Sequence, residues 1–178
     1  PTQDVPLISN TEPATRELAL NFLIESEDIL KEMNNQNFST FFIRDKLLEA
    51  KRSFIGRDTS LISSDIEKEE NQLIKEYLVS LIELYKSTPG HEIRDRNYDE
   101  VVMLSNIIKE RRQQAYDIVD KAALLDDKVK EYGQNSINIF EGISTVGRAM
   151  GSFNEERYDE AEDLLKQADL SLDQASLD

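Results

Sequence analysis

Apolar residues recur every three or four positions along most of this chain, the spacing of helices that each bury one stripe. Ala19, Leu23, Ser26, Leu30 and Met33 mark the first stripe, widened by Phe22 and Ile29. Thr11, ahead of Pro13, is placed to accept from its exposed first-turn amides. After the polar break "NNQN", Ile43, Leu47, Ala50 and Phe54 mark a second helix. A third is expected from about Ser64, where "SDIE" has capping-box spacing; Ile74, Leu78, Leu81 and Tyr85 follow, and "STPGH" ends it. Asn97, with Glu100 as its box partner, opens the longest helix, whose stripe runs Leu104, Ile108, Arg111, Ala115, Ile118, Ala122, Leu125, Val129 and Tyr132 before Gly133 stops it. Phe140, Ile143, Val146, Met150 and Phe153 mark a fifth helix. Asn154 is expected to cap a sixth, which carries Tyr158, Ala161, Leu165, Ala168, Leu172 and Ala175. No segment alternates with period two, so the pattern predicts an all-α fold of about six antiparallel helices.

The stretches "KEMNNQNFSTFFIRDKLLEAKRSF" (31–54) and "KEYGQNSINIFEGISTVGRAMGSF" (130–153) overlay without a gap, matching at Lys31/Lys130, Glu32/Glu131, Phe41/Phe140, Ala50/Ala149, Ser53/Ser152 and Phe54/Phe153. Each covers a helix end, a polar turn (34–39 and 133–138) and the next helix. The overlay therefore suggests an internal repeat: two three-helix units, 1–90 and 91–178, in an elongated bundle. Narrow heptad stripes of this kind are those of coiled coils. "STPGHEIRDRN" (87–97) is the seam, read either as an exposed linker or as part of one continuous rod. Leu23, Leu30, Leu47, Phe54, Leu78, Leu81, Ile108, Ala115, Ile118, Ala122, Leu125, Val146, Phe153, Ala161, Leu165 and Ala168 are expected in the core. Ile43 against Gly142 is the overlay's weak point, because the second copy must pack more closely there or be filled from elsewhere.

Composition narrows the function. Hydrophobic residues are 39% and charged residues 32% of the chain, enough apolar content for packed helices. A net charge of −15 argues against nucleic acid as a partner, since neutralising phosphates needs a basic face. No apolar run reaches the roughly 18 residues that span a bilayer, so no direct membrane insertion is expected from this segment. Cys is absent, which removes disulfides, thiol nucleophiles and thiolate metal sites. The chain opens at Pro1 and ends in "LSLDQASLD" with helical spacing still running, which reads as a piece of a longer protein whose signal or anchor lies outside it.

Candidate chemistry is sparse. His91 in the seam is the only histidine, too few for a zinc site, and it reads as an exposed linker residue. The acidic pairs Glu69-Glu70, Asp126-Asp127 and Glu155-Glu156 lack the spacing of a calcium loop and read as solvated faces. No catalytic residue, metal or cofactor is expected. Gly147, Gly151 and Ser144 share one side of the fifth helix, where glycine costs about 1 kcal/mol against alanine. They either pack tightly inside the bundle or form a docking groove for a partner. Asn37-Phe38-Ser39 is a glycosylation sequon and tips the compartment toward extracytoplasmic.

"NEERYDEAEDLLKQADLSLDQA" (154–175), with Tyr158, Ala161, Leu164-Leu165 and Ala168, resembles the Y-x-x-A-x-x-L helices of tetratricopeptide-type repeats, without their Trp, L-G pair or closing Pro. Together with "LLEAKRSF" after a polar turn, it is similar to helical segments of archaeal membrane-anchored or secreted surface proteins. That resemblance implies a spacer or interaction role. The expectation is a non-enzymatic spacer, scaffold or protein-interaction module with a protein partner or self-association. The alternative is a sensory or ligand-binding helical bundle of a receptor, and an enzyme with an unfamiliar carboxylate site comes third.

Overall fold

The computed structural model describes residues 12–87, 94–132 and 137–175. Among them every regular element is helical: α1 (Arg16–Asn35), α2 (Phe41–Ile55), α3 (Thr59–Lys68), α4 (Gln72–Ser87), α5 (Tyr98–Tyr132), α6 (Ile137–Asn154) and α7 (Tyr158–Ala175). The all-α expectation holds. Thr11, His91, Gly133 and the turn expected at 133–138 fall wholly or mostly outside the described residues.

The helix beyond the six expected arises because the third expected one is two. Asp58, in extended backbone, accepts from the Ser60 amide at 3.0 Å and from its hydroxyl at 2.6 Å, so α3 begins at Thr59 and "SDIE" lies inside it. Glu69 turns extended and ends α3. The Asn71 side chain then accepts from the Leu73 and Ile74 amides at 3.0 and 3.3 Å and starts α4. The Asn97 cap holds as expected, accepting from the Glu100 amide at 3.0 Å.

Close contacts divide the chain into two compact units, each drawing on both halves of the sequence. The first comprises the chain up to Asp28 with Asp45–Ile108, and the second Ile29–Arg44 with Lys109 onward. Of the residues expected in the core, Leu30 is half-buried and all the others are buried. The first unit buries Leu23 on α1, Phe54 on α2, Ile62 on α3, Leu78 and Leu81 on α4, and Ile108 on α5.

In the second unit α5 and α7 run parallel: Gln114 reaches Asp159, Lys121 Asp169, and Lys128 Asp173, at 3.0, 2.9 and 3.0 Å. Helix α6 is antiparallel to α7, with Gly142 against Leu172 at one end and Phe153 stacked on Tyr158 at the other. The first half of its stripe departs from expectation. Phe140 is 68% and Ile143 45% exposed, while Ile139, Gly142, Val146, Ala149 and Phe153 face inward. A Cβ at Gly142 would lie 2.6 Å from Leu172 Cδ2, so this small side is what lets α7 come close, and Leu172 fills the space opposite the missing side chain. Val146 and Phe153 of the expected stripe are buried and Met150 is half-buried, so ranking positions by apolar size fails only at Phe140 and Ile143.

Asn154 also departs from expectation: it ends α6 rather than capping α7. The chain leaves α6 through Glu156, which adopts φ +61°, with the Glu156 amide bonded to Phe153 O at 2.9 Å and the Arg157 amide to Ser152 O at 2.8 Å. This is the Schellman arrangement of a helix C-terminus. Helix α1 ends in the same way, with Asn37 at φ +59° and the Phe38 amide bonded to Met33 O at 3.0 Å.

Candidate interaction surface

Helix α6 carries one continuous exposed stripe. Phe140, Ile143, Ser144, Gly147 and Gly151 are all exposed, and a helix of 3.6 residues per turn places them within about a quarter-circle. A Cβ added at Gly147 or Gly151 would meet nothing within 4 Å. Neither glycine serves packing inside its unit, unlike Gly142. The structure thus brings Ser144, Gly147 and Gly151 together, as the spacing suggested, and adds Phe140 and Ile143 beside them. Sequence reasoning had assigned those two to the core stripe; the only local hint was their place one residue off the Gly142–Ala149 line.

The base of this helix is held by an arginine–aromatic cluster. Arg111 on α5 lies over the Tyr158 ring, 3.5 Å from its centroid, and over Phe42 at 4.6 Å, and its Nη2 donates to Glu156 O at 2.8 Å. Among the described residues no carboxylate pairs with it, and its Nε is buried without a hydrogen-bond partner. Phe153 stacks on Tyr158 and meets Phe38 edge-on, with centroids 5.1 and 5.4 Å apart. The Glu156 carboxylate accepts from the amides of Phe41 and Phe42 at 3.0 and 3.2 Å and from the Ser39 hydroxyl at 3.0 Å. It thereby caps α2 from a distant point in the chain, an anion at the positive end of a helix. Burial pushes the Tyr158 phenol up, against the opposing pull of Arg111.

A second cluster of this kind lies in the first unit. Arg96 Nε donates to Phe54 O at 2.8 Å, its guanidinium lies 5.1 Å from both the Phe54 and Tyr98 centroids, and it pairs with Asp65. Asp65 is shared with Arg16, 3.1 Å away, and Arg16 also reaches Glu69 at 3.3 Å. The Asn97 amide donates to Ser53 O at 2.8 Å, so residues 96 and 97 satisfy carbonyls in the last turn of α2.

A shallow groove of about 290 Å³ runs between α5 and α7, lined by Ile118 and Leu165 with Asp117, Lys121, Glu162 and Lys166 around it. Lys121 and Lys128 both bond Asp169, at 2.9 and 2.5 Å, and hold its carboxyl below the usual range.

The acidic pairs divide by role. Glu69 holds Arg16, Glu155 pairs with Arg157 and Glu156 caps α2, whereas Asp126 and Asp127 are exposed. Among the described residues no group of three or more His, Cys, Asp or Glu is placed to hold a metal ion, and no helix is long and apolar enough to cross a membrane. Asn37 of the sequon is exposed, and its left-handed backbone gives Asn a conformational reason to be there. His91 lies outside the described residues. No family model, no curated protein and no solved structure matches this chain.

Proposed function

We propose that this protein is a non-enzymatic helical interaction module, a spacer or scaffold that binds another protein chain through α6. The observation that supports it is the exposed stripe Phe140–Ile143–Ser144–Gly147–Gly151. Its large residues sit at one end and its two bare glycines at the other, with open space over both glycines. Glycines that pack nothing within the fold weaken a helix by about 1 kcal/mol each. A partner that approaches the backbone there would offset that cost. The accompanying compartment is extracytoplasmic, in keeping with the exposed Asn37 of the sequon.

The test is site-specific photo-crosslinking in the source cells. A photoreactive phenylalanine analogue at position 140 is expected to give discrete protein adducts. The same analogue at Leu73, which is 77% exposed on α4, serves as control. Equal or absent adducts at the two positions would end this reading. The receptor reading draws on the α5–α7 groove, whose volume is at the lower limit for small-molecule sites. It would require an apolar probe to bind there and to be displaced by Leu165→Trp.

A further inference from the structure

We propose that the occupant of the α6 stripe is the α6 of a second copy of this chain, paired antiparallel about a two-fold axis level with Thr145 and Val146. The inference rests on the reading of α6 as a binding face and names its partner.

The argument is self-complementarity. In a two-fold antiparallel pair centred between residues 145 and 146, Phe140 of one copy faces Gly151 of the other, and Ser144 faces Gly147. The exposed ring is thus set over the glycine that leaves open space. Ser144 and Gly147 are the small residues that let two backbones approach at the centre. Charge follows the same symmetry. Glu141 and Arg148 are both exposed, and at about 100° per residue they lie on the same flank of the stripe. A two-fold axis of this orientation keeps that flank on one side in both copies. Glu141 of one copy and Arg148 of the other then differ by two residues of rise, about 3 Å along the axis. The symmetry makes this contact twice. Among the described residues neither forms a close ion pair within its own chain, although Arg148 is near enough to Glu160 to help Arg157 hold that carboxyl low. On the opposite flank Ile143 meets Met150, a half-buried residue, again twice. An unrelated partner helix has no reason to match a pattern whose own reversal completes it.

One helix pair of this length buries less than the roughly 1,200 Å² of stable complexes, so the dimer is reversible. Sedimentation equilibrium of the full chain from roughly 5 µM to 1 mM in about 0.15 M salt, which screens the repulsion between acidic copies, is the measurement. The mass is expected to climb toward that of a dimer. The paired substitutions Gly147→Ala and Gly151→Ala are expected to raise the unfolding midpoint, since the added methyls meet open space within the fold, and to weaken association about tenfold or more. Glu141→Arg and Arg148→Glu should each weaken association, and their combination should restore it. A wild-type monomer across the whole range overturns the pairing. So does association that ignores the alanines, or a double charge reversal that fails to rescue. Discrete Phe140 adducts with a different protein, in a chain that stays monomeric, would overturn the two-fold pairing while leaving the interaction reading intact.

Discussion

Each unit of this protein packs a phenylalanine near a helix end against a tyrosine that begins another helix, with an arginine over the tyrosine ring. The two clusters differ most at the residue through which the chain leaves the helix. In the first, Phe54 ends α2, Tyr98 begins α5, and Arg96 lies over both rings while donating to Phe54 O. In the second, Phe153 lies near the end of α6, Tyr158 begins α7, and Arg111 lies over Tyr158 while donating to Glu156 O. Both chains leave the helix through a left-handed residue: Gly56 at φ +73° and Glu156 at φ +61°. At Gly56 a Cβ would lie 2.7 Å from the Arg96 backbone, so only glycine fits. At Glu156 the side chain has a task, capping α2, and three hydrogen bonds offset the roughly 1–2 kcal/mol that an L-residue loses in this conformation. The comparison separates two reasons for a left-handed helix exit. One is room, the other is what a side chain can do there.

The largest expected effect tests whether the phenylalanines are equivalent anchors. Phe54 is fully buried and Phe153 is 4% exposed. Truncating either to Ala should cost about 3–5 kcal/mol by chemical denaturation. A cost under about 1 kcal/mol at one site would show that the shared geometry has no shared energetics.

The arginines should separate next. Removing Arg96 with Met takes a partner from Asp65, a side chain that is 14% exposed, and uncovers a carbonyl at the α2 terminus. About 2–4 kcal/mol is expected, moderated because Arg16 still reaches Asp65. Arg111→Met leaves no carboxylate unpaired and loses one carbonyl hydrogen bond and the ring contacts, about 1–2 kcal/mol. Equal losses would mean that Asp65 contributes little to the first cluster.

Much of this was legible in the chain and some of it could not be. Heptad spacing located the helices and nearly all the core, because burial of a stripe is a local and periodic demand. The break at 69–71 was missed because two caps compete, and the Asp58 cap lies upstream of the "SDIE" pattern that imitates one. The first half of the α6 stripe is not legible from apolar size. The crossing with α7 needs Gly142 and Ala149, so Phe140 and Ile143 face out while Val146 and Phe153 are buried as expected. Reading by size hid the exposed Phe140 and Ile143 and left only the glycines and Ser144 as a trace of the surface. Glu156 has no local signature at all. Its role depends on α2 amides more than a hundred positions away in sequence, and nothing in "FNEERY" declares a left-handed Glu.

The helix exits give a smaller and opposed pair of effects. Gly56→Ala should destabilise by about 2 kcal/mol or more, since the backbone conformation and the Arg96 backbone both resist a Cβ. Glu156→Gly relieves the left-handed cost but removes the α2 cap, and the two changes nearly balance to a loss of about 1 kcal/mol or less. Glu156→Ala keeps the conformational cost and loses the cap, so it should be worse than Gly by about 1 kcal/mol. If Gly and Ala prove equal at 156, the φ of +61° carries no energetic weight and the contrast with Gly56 dissolves.

The smallest effect concerns the tyrosines, and here the two clusters should agree. Burial raises both phenols, the neighbouring arginine opposes in each case, and a carboxylate adds to the rise: Arg96 and Asp65 at Tyr98, Arg111 and Glu156 at Tyr158. A phenol whose folded pKa lies above its unfolded value of about 10 holds its proton more tightly in the folded state. Its contribution to stability is therefore complete below about pH 10 and is lost as pH rises through the folded value. Denaturation midpoints at about pH 8 and pH 11 should thus show a fall for the wild type. Tyr98→Phe and Tyr158→Phe should each reduce that fall, because a ring without a hydroxyl cannot titrate. The reduction should be greater at Tyr158, which is 2% exposed, if burial outweighs an arginine that lies closer than the one at Tyr98 and opposes the rise. Should Tyr158→Phe leave the alkaline fall unchanged while Tyr98→Phe reduces it, the Arg111 cation rather than burial governs the second cluster, and the likeness between the two ends at their geometry.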